Sequence, residues 1–150
     1  MKVAAIDFGK VRVGVAVSDD LGLLAHPRPY LDGANIKSLL AELTQFAASE
    51  KLTRFIVGLP RHLDGREGPA ARRARNFARL LKQATGVPVK LVDEWLSTRQ
   101  AQTQLRAQGL DTRQSRERID SAAAAVFLQT WLDQQNRAPS VPPADEPWQP

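Results

Sequence analysis

The stretch AAIDFGKVRVGVAVSD, residues 4–19, decides the fold. The run KVAAIDF (2–8) is apolar almost throughout until it reaches one carboxylate, Asp7, as expected of a strand covered on both faces. A tight polar turn at Gly9 and Lys10 follows. Residues 11–18, VRVGVAVS, then alternate, with Val11, Val13, Val15 and Val17 on one face and Arg12, Gly14, Ala16 and Ser18 on the other, which reads as the second arm of a hairpin. A carboxylate at the end of a buried strand is costly unless ionic or hydrogen-bonding partners satisfy it. Asp7 therefore either caps a turn or belongs to a site.

Outward from this hairpin, a third extended segment around 23–31 carries Pro27 and Pro29, which confine it to a sheet edge. The period then changes. Ile36, Leu39, Leu40, Leu43 and Ala47 follow helical spacing behind Asn35 as cap, and RFIVG (54–58) is a strand. A second helix starts with Pro69 in its first turn and stops at Gly86, its apolar stripe formed by Ala74, Phe77, Ala78 and Leu81. PVKLV (88–92) is the last strand and ends at Asp93 and Glu94. LSTRQAQTQLRAQG (96–109) is predicted helical, followed by a final Ala-rich helix that carries Asp120 and continues to about Leu132. The order predicts an α/β fold: a five-stranded mixed sheet, three antiparallel strands first and parallel strands after, flanked by helices. Residues 1–136 form the domain, and the proline-rich tail 137–150 lacks periodicity and is expected to be disordered.

The chain has 150 residues, 43% of them hydrophobic, enough for one domain with its own core. Cysteine is absent, which excludes disulfides, thiolate metal sites and cysteine nucleophiles and fits a reducing compartment, so a cytoplasmic protein is expected. No stretch reaches the roughly 20 apolar residues of a membrane span. Lysine and arginine outnumber aspartate and glutamate by 21 to 16, and arginine supplies 15 of those cations, a bias suited to a polyanionic partner.

In sheets of this kind ligands sit at the C-terminal ends of the parallel strands. Asp7 and Glu94 both belong there, and Asp120 is the third acid that such a site could recruit. Hard cations such as Mg2+ and Mn2+ take oxygen ligands, and two of them about 3.5–4 Å apart support phosphodiester hydrolysis. Each acid also has a plainer reading. A strand-end aspartate caps turns, and Asp120 could be a first-turn acid stabilised by a helix N-terminus.

Four blocks, AIDFGKVRVGVAVSD (5–19), IVGLPRHLDGREG (56–68), VDEWLSTRQA (92–101) and RIDSAAAAVFLQTWL (118–132), resemble in order and spacing the YqgF/RuvX family, grouped with RuvC-like Holliday junction resolvases in the RNase H-like superfamily. The likeness covers about residues 2–133. It implies an RNase H-like fold and a metal-dependent nuclease acting in 5′-end processing of precursor 16S rRNA, with cleavage of branched DNA as the alternative. It further implies Asp7, Glu94 and Asp120 as catalytic metal ligands, Asp7 bridging two Mg2+ or Mn2+ ions and the others holding one each. Trp95 departs from the pattern, since the family commonly has arginine there; an indole can instead stack on a base. His62 also stands where a small amide is common.

Cations supply the remaining candidates. Arg113, Arg116 and Arg118 precede Asp120, and Lys10 and Arg12 adjoin Asp7. Arg72, Arg75, Arg79 and Lys82 line the polar side of the helix from Pro69, a position that equally describes an ordinary solvated face. All would contact the nucleic-acid backbone without reading sequence. The protein is expected to act as a monomer or homodimer. Two competing classes remain: an ATPase, because the first block also resembles the phosphate-binding hairpin of actin-like ATPases and sugar kinases, whose two-domain clefts 150 residues cannot build, and a non-catalytic nucleic-acid-binding module.

Overall fold

Alternation and turn chemistry set the sheet. In the computed structural model, which describes residues 1–60, 66–93 and 112–137 (side chains of 112–120 and 137 excepted), the opening hairpin consists of β1 (Val3–Phe8) and β2 (Arg12–Ser18), paired antiparallel with Asp7 opposite Gly14. The Gly9 amide donates to the Arg12 carbonyl at 3.1 Å and closes the turn. Val11 consequently sits in the turn, 66% exposed, rather than on the inner face that its place in the alternation suggested. β3 (Ala25–Asp32) pairs antiparallel with β2 at the sheet edge, as its prolines require.

The rest is built by crossovers. α1 (Ile36–Glu50), capped by Asn35 accepting the Ser38 amide at 3.1 Å, leads into β4 (Arg54–Leu59), parallel to β1. α2 (Pro69–Thr85) starts on Pro69 and ends at Gly86, whose φ of 71° is the left-handed conformation that glycine adopts without steric penalty. β5 (Val89–Asp93) then pairs parallel with β4, and α3 (Thr112–Arg137) closes the described structure. The strand order is β3-β2-β1-β4-β5, so β4 separates β1 from β5; antiparallel pairings first and parallel ones after are as expected from the sequence. The expected helix at 96–109 and the tail beyond 137 lie outside the described residues. α3 continues five residues past the expected end at Leu132, and its last turns hold the β2–β3 connection: Gln129 accepts from the Ala25 amide and donates to the Leu23 carbonyl, and Asn136 donates to the Gly22 carbonyl.

The two sheet faces differ in what covers them. Ala4 and Ile6 of β1, Val13, Val15 and Val17 of β2, and Phe55, Val57 and Leu59 of β4 pack under α1 and α2. Residues of the other parity, Val3, Ala5, Ala16 and Ile56, pack under Ala124, Phe127, Leu128, Trp131 and Leu132 of α3. Asp7 and Gly14 share the second parity, so the carboxylate belongs to the face that α3 covers.

Candidate active site

Asp7 is half-buried at the C-terminal end of the central strand. Its neighbours on both sides are glycines. Gly14 is its partner on β2, and one residue past the last β1–β4 pair, Ile6 with Val57, Asp7 comes level with Gly58. Gly58 in turn pairs with Val92, which packs toward α3. Neither strand flanking Asp7 therefore puts a side chain beside its carboxylate. Behind the sheet, Phe8 stacks on Phe77 of α2 with ring centroids 4.3 Å apart and planes 2° from parallel, which pins the strand end in place.

The helix acid lies on α3, which crosses the same face. Gln129 is bonded to Ala25, the β3 partner of Ser18, and the Ser18 hydroxyl accepts the Val3 amide at 2.9 Å, so Gln129 marks the Val3 end of the sheet. From Val3 to Asp7 is four residues of strand, about 13 Å. From Gln129 back to Asp120 is nine residues of helix, also about 13 Å. A helix running antiparallel to β1 would therefore carry the backbone of Asp120 to about the height of Asp7. Asp120 is the ninth residue of a helix that begins at Thr112, more than two turns in. A first-turn role for it is thereby removed, because the helix dipole acts within the first turn.

Ser121, beside Asp120, is 6% exposed, and its Oγ has no hydrogen-bond partner among the described residues. A buried hydroxyl in that state costs about 1–3 kcal/mol, so an acceptor supplied by a ligand would relieve it. Asp7 offers oxygen ligands, and its two strand neighbours, Gly14 and Gly58, carry no side chains. These residues fit a hard divalent cation. Among the described residues no three acids or histidines gather in one place; Glu94 and the side chain of Asp120 lie outside them. Asp93, the last residue of β5, is exposed.

The expected cations fall on different sides. Lys10 is exposed in the turn after Asp7, and Arg12 opens β2 on the Asp7 face. Arg113 and Arg116 lie seven and four residues before Asp120 on α3, the spacing of one helical stripe, and Arg118 is off it. Arg72, Arg75 and Arg79 are on α2, across the sheet from Asp7. Arg75 is engaged there: its Nε and Nη2 donate to the two Glu67 carboxylate oxygens at 2.6 and 2.7 Å. That bond raises the Arg75 pKa above its usual value, and the charge of Asp93 adds to the effect. Arg79 donates to the Asn76 side chain at 2.6 Å. Trp95 and His62 lie outside the described residues. The residues overlooked in the sequence were Gly58 and Ser121; pairing Asp7 with its strand neighbours would have found the first, and no sequence signal marks the second.

A mixed sheet in this order, with a strand-end acid in its central strand and a long helix crossing that face, defines an RNase H-like α/β domain of the RuvC type. The fold is that of Thermus thermophilus RuvC, solved in complex with a Holliday junction substrate (TM-score 0.57, 16% identity, 92% of this chain and 97% of that one). It is also that of the fowlpox virus Holliday junction resolvase (TM-score 0.56, 11% identity, 89% and 99%). Likeness at such identities speaks for the fold alone. The chain belongs to the RuvX family: the family model described as RuvX, Holliday junction resolvase, matches residues 1–134. A relative from Anaeromyxobacter dehalogenans named as a pre-16S rRNA nuclease is 45% identical over 139 residues, which span 93% of this chain and all of that protein.

Proposed function

We propose that this protein is a divalent-metal-dependent nuclease that hydrolyses phosphodiester bonds, acts in the cytoplasm, and processes the 5′ end of precursor 16S rRNA. The observation that supports the reading is Asp7 at the C-terminal end of the central strand, on the face covered by α3, the helix that carries Asp120 nine residues before Gln129. Glu94 follows the last residue of β5 and shares the sequence parity of Val92, which faces α3. Asp7, Glu94 and Asp120 would hold Mg2+ or Mn2+, which when bound supplies Lewis acidity at the scissile phosphate.

The chain's own groups account for binding and orientation. Gly14 and Gly58 leave the floor beside Asp7 without side chains. The Ser121 hydroxyl has a hydrogen bond to give. Lys10, Arg12, Arg113, Arg116 and Arg118 would hold the backbone of the strand. In the overall reaction water adds to phosphorus, the P–O3′ bond breaks, and the products are a 3′-hydroxyl and a 5′-phosphate.

The test incubates a 5′-leader fragment of precursor 16S rRNA, an unrelated single-stranded RNA and a four-way DNA junction with the protein and Mg2+ or Mn2+, beside Asp7→Asn. The expected result is trimming of the leader with a 5′-phosphate product, loss with EDTA and loss in the variant. Calorimetric Mn2+ binding should weaken in Asp7→Asn and Asp120→Asn. Equal products from Asp7→Asn, or EDTA-resistant cleavage, would sink the proposal; cleavage of the junction alone would move the substrate to branched DNA, which the name of the family model favours.

A further inference from the structure

β3 carries an irregularity that the site described so far does not use. Val13 pairs with Leu31 and Val15 with Arg28, so Pro29 and Tyr30 together stand opposite the single residue Gly14. This is a β-bulge, a device that bends a strand and redirects a side chain. Leu31 packs toward the α1 face, and Arg28 lies over the Phe46 ring of that same helix. Tyr30 instead meets Arg12, whose guanidinium carbon is 5.1 Å from the ring centroid, and Arg12 has the parity of Ala16, on the Asp7 face. Tyr30 is the chain's single tyrosine and is 39% exposed.

Tyr30, Gly14 and Asp7 thus form a row across three adjacent strands. Two strand spacings, about 10 Å, separate the outer two. The middle position has no side chain. A ring and a planar cation stacked together at that distance from Asp7 suit one chemistry: the face of an unpaired nucleobase, for which aromatic rings and guanidinium planes are both stacking partners. A base held within a paired helix offers no free face.

We propose that Tyr30 and Arg12 form a stacking shelf for an unpaired nucleobase next to the nucleotide whose phosphodiester reaches Asp7, which makes the strand entering the site single-stranded on the β3 side. The inference rests on the nucleic-acid reading of the Asp7 face and names the substrate class that this face takes. A purely structural role for the pair, an exposed cation–π contact that steadies the sheet edge, predicts no discrimination between paired and unpaired strands.

The test measures fluorescence anisotropy of the full chain with labelled single-stranded RNA, single-stranded DNA and a blunt duplex, in EDTA so that no cleavage occurs. Tyr30→Leu should weaken binding to both single strands about tenfold, the size of one base–aromatic stack, and leave duplex binding within twofold. Tyr30→Phe, which keeps the ring, should restore it. Photo-crosslinking of a 5-iodouridine-substituted RNA to the wild-type chain, mapped by mass spectrometry, should find Tyr30 and does not depend on any variant folding. Single-strand affinity unchanged in Tyr30→Leu, an equal loss on duplex, a crosslink mapping elsewhere, or no nucleic-acid binding by the wild type would each overturn the shelf. Binding and crosslinking as expected, with no cleavage once metal is added, would remove the nuclease reading while leaving the shelf in place.

Discussion

Gly9 links the fold to the site, and its replacement by alanine has a calculable consequence. A Cβ built on Gly9 would lie 2.5 Å from the Arg12 carbonyl oxygen, a backbone atom that has no rotamer by which to retreat. The turn must open by at least half an ångström to reach even a tight contact, and the hydrogen bond from the Gly9 amide to that same oxygen, now 3.1 Å, is weakened with it. Forced overpacking of this kind costs roughly 1–3 kcal/mol, and the weakened bond adds up to about 1 kcal/mol. For a chain of this length the melting temperature should fall by roughly 2–16 °C. Gly86→Ala is the comparison: nothing lies within 4 Å of its Cβ, and the substitution meets only the left-handed φ of 71°, a cost of about 1 kcal/mol. Because the turn fixes the register that sets Asp7 opposite Gly14 and puts Arg12 on the same face, Gly9→Ala should also lose nuclease turnover at a temperature where it remains folded, whereas Gly86→Ala should not. Thermal unfolding by circular dichroism and single-turnover cleavage read both quantities. A Gly9→Ala protein as stable and active as Gly86→Ala would refute the steric reasoning and the coupling of turn to site.

Acid should weaken the sheet edge through Glu50, whose carboxyl is held below its usual pKa of 4.5 chiefly by the hydrogen bond from Lys2 at 2.6 Å, with Arg28 at 2.7 Å adding to it. Its contribution is complete above the unfolded value and disappears as pH drops through the folded one, so the urea midpoints of wild type and Glu50→Gln should converge between pH 5 and pH 3; a gap that stays constant would exclude Glu50. Glu67→Gln should release the Arg75 guanidinium, and if α2 lies along the bound strand the slope of log affinity against log salt steepens by about 0.7, one phosphate's worth. An unchanged slope would remove α2 from the binding surface. Ala124→Leu inserts three carbons between α3 and the sheet and should destabilise by about 1–3 kcal/mol, with a loss of cleavage rate larger than the fraction unfolded explains; activity that simply follows stability would mean that the spacing of α3 does not govern the site.

Local signals in the chain were enough for the sheet, because each was independently anchored: strict alternation in β2, prolines confining β3 to an edge, Asn35 and Gly86 at helix ends. The first acid was legible for the same reason, since a carboxylate at the end of VAAI has few physical excuses. Three features were not legible. Val11 continues the valine alternation and still falls in the turn, because the Gly9–Arg12 bond closes the hairpin one residue later than the pattern suggests. The end of α3 depends on Gln129 and Asn136 gripping a loop more than a hundred positions earlier, a tertiary bond that no local propensity encodes. The arginines of α2 look equivalent along the helix, yet Glu67 engages Arg75, and the sheet stands between all of them and Asp7.

The side of the sheet that bears the acid is also the side built from small residues. Under α1 and α2 the core is bulky, with Phe55, Phe77, Leu39, Leu43 and Leu81 fully buried. Under the middle of α3 it is Ala5 and Ala16 against Ala124, with Ala123 also fully buried and Gly14 and Gly58 flanking Asp7. Packing of bulky side chains keeps a helix about 10 Å from the layer below, and small ones let the backbones approach. An aspartate has the shortest acidic side chain, so two of them, one from the sheet and one from a helix above it, can share a ligand only where that approach is close. Among the described residues, the larger side chains that α3 packs on the sheet, Phe127, Leu128, Trp131 and Leu132, lie beyond Ala124, where they hold the helix to the sheet. A uniformly large core would hold the helix farther from the sheet, so the shared ligand that we propose for Asp7 and Asp120 depends on these small residues.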